Sequence, residues 1–332
     1  MTKVLLVEPV HESGMRILQQ AGLEVVVSPS TDTETLIDLV KDDVFGIIIR
    51  TSQLESRVLE AGRQLRIIGR HGIGVNNIDL AAADSLNILV ANVPDANAYS
   101  VAEYVITAAM MLSRKMVQGD TALRTGKLIQ TGASLPGLVK RFNLGGNELP
   151  GRCMGIIGLG KIGLQIALMA AGILHMEVLA YDPYRSEVPS GITLVADVNE
   201  IYRQADFITL NTPLTKETEN MINAATLGMM KPAAYLINAG RGELIDEQAL
   251  AAALIQGNLA GAALDVFREE PPRLSNPLFH APNVFLTPHV AGSTDEAVER
   301  LAIGSAQAIA DWFCGRKPGN IINPQVWERL VK

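Results

Sequence analysis

The chain predicts an α/β architecture of two doubly wound parallel sheets, on three observations. Short apolar runs alternate with polar helical segments, the alternation occurs in two successive series, and 332 residues with 48% hydrophobic and 19% charged content exceed one ordinary core. Strand and helix in alternation give a parallel sheet covered on both faces. The first series places strands at 4–7, 24–27, 46–49, 66–69 and 88–91, with helices such as 12–21 and 33–41 between them. The second places them at 153–158, 177–181, 207–210, 235–238, 261–265 and 284–286. A helix over 98–116, apolar on both faces, leaves the first sheet and packs into the next domain. A helix over 293–312 brings the chain back, since Ser293-Thr294-Asp295-Glu296 is cap and first-turn chemistry. The domains expected are therefore 1–100 with 295–332, discontinuous, and 101–294 inserted between, with reaction in a cleft that closes to exclude water.

Composition narrows the function. A net charge of -7 without a basic cluster argues against nucleic acid, whose phosphates need clustered positive charge. No run reaches the ~18 apolar residues of a membrane span. The start, a short strand running into Glu8 and Pro9, does not resemble a leader. Cys153 and Cys314 are the only cysteines, which suits a reducing cytoplasm and gives no disulfide framework; Cys153 reads as a small buried hydrophobe. His11, His175 and His280 lack metal-ligand spacing and read as solvated or structural, so no metal is expected. No repeat or low-complexity segment occurs.

The second series opens on Gly158-Leu159-Gly160-Lys161-Ile162-Gly163, between a buried strand and an apolar helical stretch over 164–174. Such glycines allow a tight turn and close backbone approach to a pyrophosphate, whose charge sits at the helix N-terminus. The next strand ends in Asp182, at the spacing where a carboxylate hydrogen-bonds the ribose hydroxyls of NAD and repels a 2′-phosphate. NAD is preferred over NADP, while Arg185 leaves some NADP use open. Downstream come Arg241, within Asn238-Ala239-Gly240-Arg241-Gly242, Glu270 before Pro271, and His289 within Thr287-Pro288-His289. An arginine fork matches a carboxylate and polarises the adjacent carbonyl. A histidine moves the hydroxyl proton near neutral pH, and a carboxylate beside it favours and orients its charged form. With a nicotinamide these three groups suit interconversion of a 2-keto and a 2-hydroxy acid.

These motifs, in this order from about Arg50 to His289, resemble the D-isomer-specific 2-hydroxyacid dehydrogenases. Segments such as Gly261-Ala262-Ala263-Leu264-Asp265-Val266-Phe267 are most similar to the branch of phosphoglycerate dehydrogenases and hydroxypyruvate reductases. The resemblance implies a Rossmann NAD domain inserted into a flavodoxin-like substrate domain. It implies that Arg241 binds substrate, that His289 is the acid/base and that Glu270 supports it. Thr212 and Pro213 would line the adenine side, Ala239, Gly240 and Asp265 the nicotinamide, and Asn238 and Gly292 complete the cofactor set. It also assigns Gly72-Ile73-Gly74-Val75 to the substrate carboxylate, where the other reading is an ordinary strand-to-helix turn. Asn76 stands where the family more often has an acid, which alters a cap rather than chemistry.

Arg50, Ser52 and Gln53 follow a predicted strand at the same sheet end as Gly74 and Val75, where open α/β sheets bind ligands. With Arg70 and His71 they could put positive charge around a distal phosphate, sulfonate or carboxylate; alternatively Arg70 and His71 make only structural hydrogen bonds. Glyoxylate/hydroxypyruvate reduction is therefore the alternative within enzymes, ahead of formate or phosphite oxidation, since formate chemistry needs no acid/base of this kind. From another class, an NAD-sensing corepressor-like protein shares the fold. The intact Arg241, Glu270 and His289 set favours an enzyme. The arm over 119–150 keeps Gly146-Asn147-Glu148-Leu149 but lacks the family's tryptophan, which puts its contacts to a partner in doubt; a homodimer is still expected. The chain ends 43 residues after His289, so an amino-acid-sensing domain and feedback by serine are not expected.

Overall fold

A computed structural model describes residues 2–130 and 132–331. The chain divides into two compact units, Met1–Asn97 with Ser293–Lys332, and Ala98–Gly292. The divisions fall a few residues before those read from sequence, because a helix already begins at Ala98 and the Thr294 cap already belongs to the returning helix.

The first unit runs β1 (Lys3–Leu6), α1 (Glu12–Gln20), β2 (Glu24–Val27), α2 (Thr33–Val40), β3 (Val44–Ile49), α3 (Ser56–Ala61), β4 (Ile67–Arg70), α4 (Leu80–Ser85) and β5 (Leu89–Ala91). Among the described residues its strands form a parallel sheet in the order β2-β1-β3-β4-β5, the flavodoxin-like winding. β1 shows why: Leu5 and Val7 face a core with Val44, Ile47 and Ile49, while Val4 and Leu6 face another with Ile67 and Ile309. A strand buried on both faces reads as a continuous apolar run, and each such side chain contributes roughly 1.5–3 kcal/mol.

The second unit contains α5 (Ala98–Ser113), α6 (Met116–Arg124), α7 (Leu135–Arg141), β6 (Cys153–Ile157), α8 (Lys161–Gly172), β7 (Glu177–Tyr181), β8 (Thr193–Leu194), α9 (Val198–Gln204), β9 (Phe207–Leu210), α10 (Ala224–Leu227), β10 (Tyr235–Asn238), α11 (Glu247–Ile255), β11 (Gly261–Leu264) and β12 (Val284–Leu286). The parallel order β12-β11-β10-β9-β6-β7-β8 is a Rossmann winding, reversing direction between β6 and β9. The two-residue β8 is too short for periodicity to show. The first unit then closes with α12 (Asp295–Phe313), N-capped by Thr294, and α13 (Pro324–Leu330).

The helix expected to reach residue 116 stops at Ser113. There the returning arm pins it: the Asn147 N–H donates to Ser113 O at 2.9 Å, and Ser113 Oγ donates to Asn147 O at 2.9 Å. Lys115 then adopts a left-handed φ of 50°, and α6 starts afresh. The arm keeps a small core of its own, Ala122, Leu128 and Leu138, with Phe142 and Leu144 against it. No helix among the described residues is long and apolar enough to cross a membrane.

Candidate active site

In the second unit each motif lies at or just beyond the C-terminal end of a strand of one parallel sheet. In spatial order, Asp182 follows β7, Gly158 follows β6, Thr212 and Pro213 lie beyond β9, Ala239 to Arg241 follow β10, Asp265 to Glu270 follow β11, and His289 lies beyond β12. Open parallel sheets bind ligands at this edge, at the switch point between β6 and β9.

The glycines of the turn do different work. Gly158 takes a φ of 90° where a Cβ would lie 2.6 Å from Asn211 O, so it brings β6 against the chain leaving β9. A Cβ on Gly163 would lie 2.1 Å from Gly158 O, so α8 seats directly on the turn. At Gly160 no atom stands within 4 Å of a Cβ position, and Gly160 N-caps α8 without a side-chain bond. That open space before the first turn of α8 fits a pyrophosphate. Asp182 accepts the Leu159 N–H through Oδ2 and the Tyr184 N–H through Oδ1, both at 2.9 Å, which aims the carboxylate beside the turn.

Arg241 is set by Asn238, fully buried at the end of β10. Its side chain accepts the Gly240 N–H at 3.0 Å and donates to Arg241 O at 2.8 Å, while Arg241 Nη1 donates to Gly240 O at 2.7 Å. Gly242 carries this turn onto the Glu270 segment, since a Cβ there would lie 1.9 Å from the Phe267 carbonyl carbon. Glu270 accepts the Phe267 N–H through Oε1 at 3.1 Å and meets His289 Nδ1 with Oε2 at 2.8 Å. An ionised carboxylate only accepts, so Nδ1 carries the proton and Nε2 is left for exchange. Glu269 instead pairs with Arg273 in solvent.

His289 takes a left-handed φ of 55°, uncommon without glycine and retained only where neighbours over-determine it. Asp265 does so. Its carbonyl accepts the His289 N–H, Oδ1 accepts the Val290 N–H, and Oδ2 accepts the Ala291 N–H, each at 2.8 Å. Thr287 Oγ1 also donates to Oδ1 at 2.5 Å and accepts from Tyr104 Oη at 2.7 Å. Burial pushes the Tyr104 hydroxyl up to about 12, so it remains a donor. Asp265, read from the family as a nicotinamide neighbour, is thus 1% exposed with both oxygens engaged in holding the His289 loop. Gly292 is the last residue of the unit.

In the first unit the loops after β3 and β4 also lie at one sheet end. The glycine loop directs its carbonyls inward: Gly72 O accepts from Val93, Ile73 O from Asn92, Gly74 O from Arg70 Nε and Val75 O from Ile78. Among the described residues the amides of Ile73, Gly74 and Val75 meet no acceptor, which suits an anion. The cluster of three positive groups does not hold as expected. Arg70 wraps the loop, donating to Gly74 O and His71 O, so its guanidinium serves the turn. His71 is buried, and burial followed by the charges of Arg50 and Arg70 pushes it down to about 4, so it is neutral at pH 7. Arg50 alone has a guanidinium that meets no hydrogen-bond or ion-pair partner among the described residues. Ser52 also departs from expectation, since its N–H and Oγ both donate to Glu8, at 2.7 and 2.8 Å; Gln53 is exposed. Sequence reasoning missed Glu8, Asn77, Tyr104 and Gly242 as positioning groups. Of these only Gly242 carried a local signal, a glycine beside an arginine.

Cys153 is buried, and burial pushes its thiol up to about 11, as expected of an inert core residue. Residues 106–291 match the family model described as D-isomer specific 2-hydroxyacid dehydrogenase, NAD binding domain. A D-3-phosphoglycerate dehydrogenase of Methanocaldococcus jannaschii is 39% identical over 97% of this chain, which spans 60% of that relative's length. A Thermus thermophilus protein superposes with a TM-score of 0.86 at 28% identity, covering 96% of this chain and 99% of its own. An NADPH-dependent glyoxylate/hydroxypyruvate reductase of Sinorhizobium meliloti gives 0.84 at 28%, covering 97% and 98%. With its motifs at one sheet edge and more than half its length matched to the family's cofactor domain, the chain belongs to the D-isomer specific 2-hydroxyacid dehydrogenases.

Proposed function

We propose that the chain interconverts a D-2-hydroxy acid and its 2-keto acid with NAD, with 3-phosphoglycerate or another anionic 2-hydroxy acid as substrate. The observation that carries this is the 2.8 Å His289–Glu270 pair, on the sheet edge that also bears Arg241 and the Gly158–Gly163 turn. A bound nicotinamide supplies or accepts the hydride. Arg241 clamps the substrate carboxylate and stabilises charge developing on the adjacent oxygen. His289 exchanges the hydroxyl proton through Nε2, and Glu270 stabilises its charged form. In the first unit, the amides of residues 73–75 hold carboxylate and Arg50 the distal anion. Asp182 supports NAD over NADP. Steady-state NADH oxidation with 3-phosphohydroxypyruvate, hydroxypyruvate, glyoxylate, pyruvate, oxaloacetate and sulfopyruvate tests the reading; no turnover of any of them removes it.

Reduction of glyoxylate or hydroxypyruvate is a second reading. The neutral His71 and the engaged Arg70 favour it, because only Arg50 remains for a distal anion. The same panel separates the two.

We read the protein as a cytoplasmic homodimer acting on a small molecule, without nucleic acid or membrane as partner. Exposed Met110, Met116, Leu123, Ile129 and Leu135, at the end of α5 and along the arm, support self-association, and two free cysteines suit a reducing compartment. Sedimentation velocity showing a monomer at micromolar concentration would remove the dimer.

A further inference from the structure

The loop after β3 is built around an internal anion. Glu8, just past β1, turns its carboxylate under residues 50–52. Oε1 accepts the N–H of Thr51 at 2.7 Å and of Ser52 at 2.7 Å, together with the hydroxyls of Thr51 at 3.0 Å and Ser52 at 2.8 Å. Among the described residues Oε2 accepts one group only, the Arg50 N–H, at 2.9 Å. Burial opposes the charged carboxylate, yet the backbone bonds from Ser52, Arg50 and Thr51 outweigh it and hold Glu8 below the usual carboxylate range. Asn77, at the end of the glycine loop, holds the other side. Its Nδ2 donates to Ser52 O at 2.8 Å and reaches Arg50 O at 3.4 Å. The two loops then run together, with Leu54 N–H donating to Asn77 O at 2.8 Å and a parallel bridge joining Leu54 and Ile78. The backbone of Arg50 is thus gripped from both sides, while its guanidinium meets no partner among the described residues.

We propose that Glu8 and Asn77 are positioning residues for substrate selection: by clamping residues 50–52 to the glycine loop they hold the Arg50 guanidinium in register with the amides of residues 73–75, and this register sets a preference for 2-keto acids with a second anionic group. The inference rests on the proposed function above. Groups locked on a rigid scaffold recognise a ligand without an ordering cost, and a small misplacement forfeits that gain. Two paired anion sites at set spacing therefore favour a dianion of matching length. Simple electrostatics points the other way. Glu8 is itself negative beside Arg50, and removing its charge should strengthen attraction for a dianion.

The two accounts therefore differ in sign for Glu8→Gln. The amide keeps one acceptor oxygen and replaces the other by a donor, so in either orientation a loop N–H faces N–H. The quantity to measure is kcat/KM for 3-phosphohydroxypyruvate relative to hydroxypyruvate. We expect Glu8→Gln to lower that ratio roughly ten-fold, the size of one charge-assisted hydrogen bond, chiefly through KM of the phosphorylated substrate. Asn77→Ala should move the ratio in the same direction, and it carries the test if Glu8→Gln does not fold. A ratio that rises or stays level in the folded variants overturns the clamp, as do equal losses on both substrates. A wild-type protein that turns over both substrates without preferring the dianion overturns the clamp together with the anionic-substrate reading. A wild-type preference that the variants retain overturns the clamp alone.

Discussion

The two C-terminal sheet edges are held by different means. In the second unit the loops are fixed largely by backbone packed on backbone. Gly158 meets Asn211, Gly163 meets Gly158 and Gly242 meets Phe267, each at a distance that leaves no room for a side chain, and side chains add to this: Asp182 on the glycine turn, Asn238 on the Arg241 turn and the buried Asp265 on the His289 loop. In the first unit the loops are fixed by side chains closing on backbone: Glu8 on residues 50–52, Asn77 on Arg50 and Ser52, and Arg70 on His71 and Gly74. Steric fit tolerates almost no substitution but does not titrate. Side-chain clamps tolerate replacement at graded cost and depend on charge. Under the function proposed above, the second unit's edge binds an invariant cofactor and the first unit's edge selects among substrates, roles that the contrast suits.

The sharpest way to test the second unit's edge is His289→Ala. Turnover should fall by about 10²–10⁴-fold with NADH affinity retained, since acid/base catalysis contributes that much and the glycine turn and Asp182, proposed to hold the cofactor, lie at β6 and β7 rather than β12. A near wild-type rate in stopped-flow NADH oxidation would exclude His289 from the reaction. Gly242→Ala should cost about 10²-fold, because a Cβ 1.9 Å from the Phe267 carbonyl carbon must push the Arg241 turn off the Glu270 segment. Activity unchanged beside a normal unfolding midpoint would show that the two segments need not be locked.

The first unit's edge should instead respond to acid. His71 is neutral when folded, with its pKa lowered to about 4, whereas the unfolded chain binds a proton near 6.5. Stability therefore falls as pH drops from about 6.5 to about 4 and levels off below, by about 3 kcal/mol over the window. In His71→Leu the difference between urea midpoints at pH 7 and pH 4.5 should shrink, and an equal difference in both proteins would contradict it. The smallest effect is expected for Tyr104→Phe. It removes one hydrogen bond, worth about 1 kcal/mol, from the Thr287–Asp265 chain behind His289. A few-fold loss of kcat with unchanged NADH affinity is expected; a loss as large as that of His289→Ala would make Tyr104 part of the chemistry.

The amino-acid sequence by itself determined the two wound sheets and the groups at the second unit's edge. Continuous apolar runs specify buried parallel strands, and each motif of that edge is contiguous: the glycine turn, Asn238 to Gly242, Glu270 before Pro271, Pro288-His289. Such segments carry their geometry in local spacing. Only the tertiary structure decided how the other edge is held and what charge it bears. Glu8 and Arg50 stand 42 residues apart, so no window of sequence relates them. Arg70 and His71 read alike as cations, but one curls onto its own loop and the other loses its proton to burial. A residue type states which charge it can carry. Whether it carries that charge, and toward what, depends on solvent exclusion and neighbours that only the folded chain supplies.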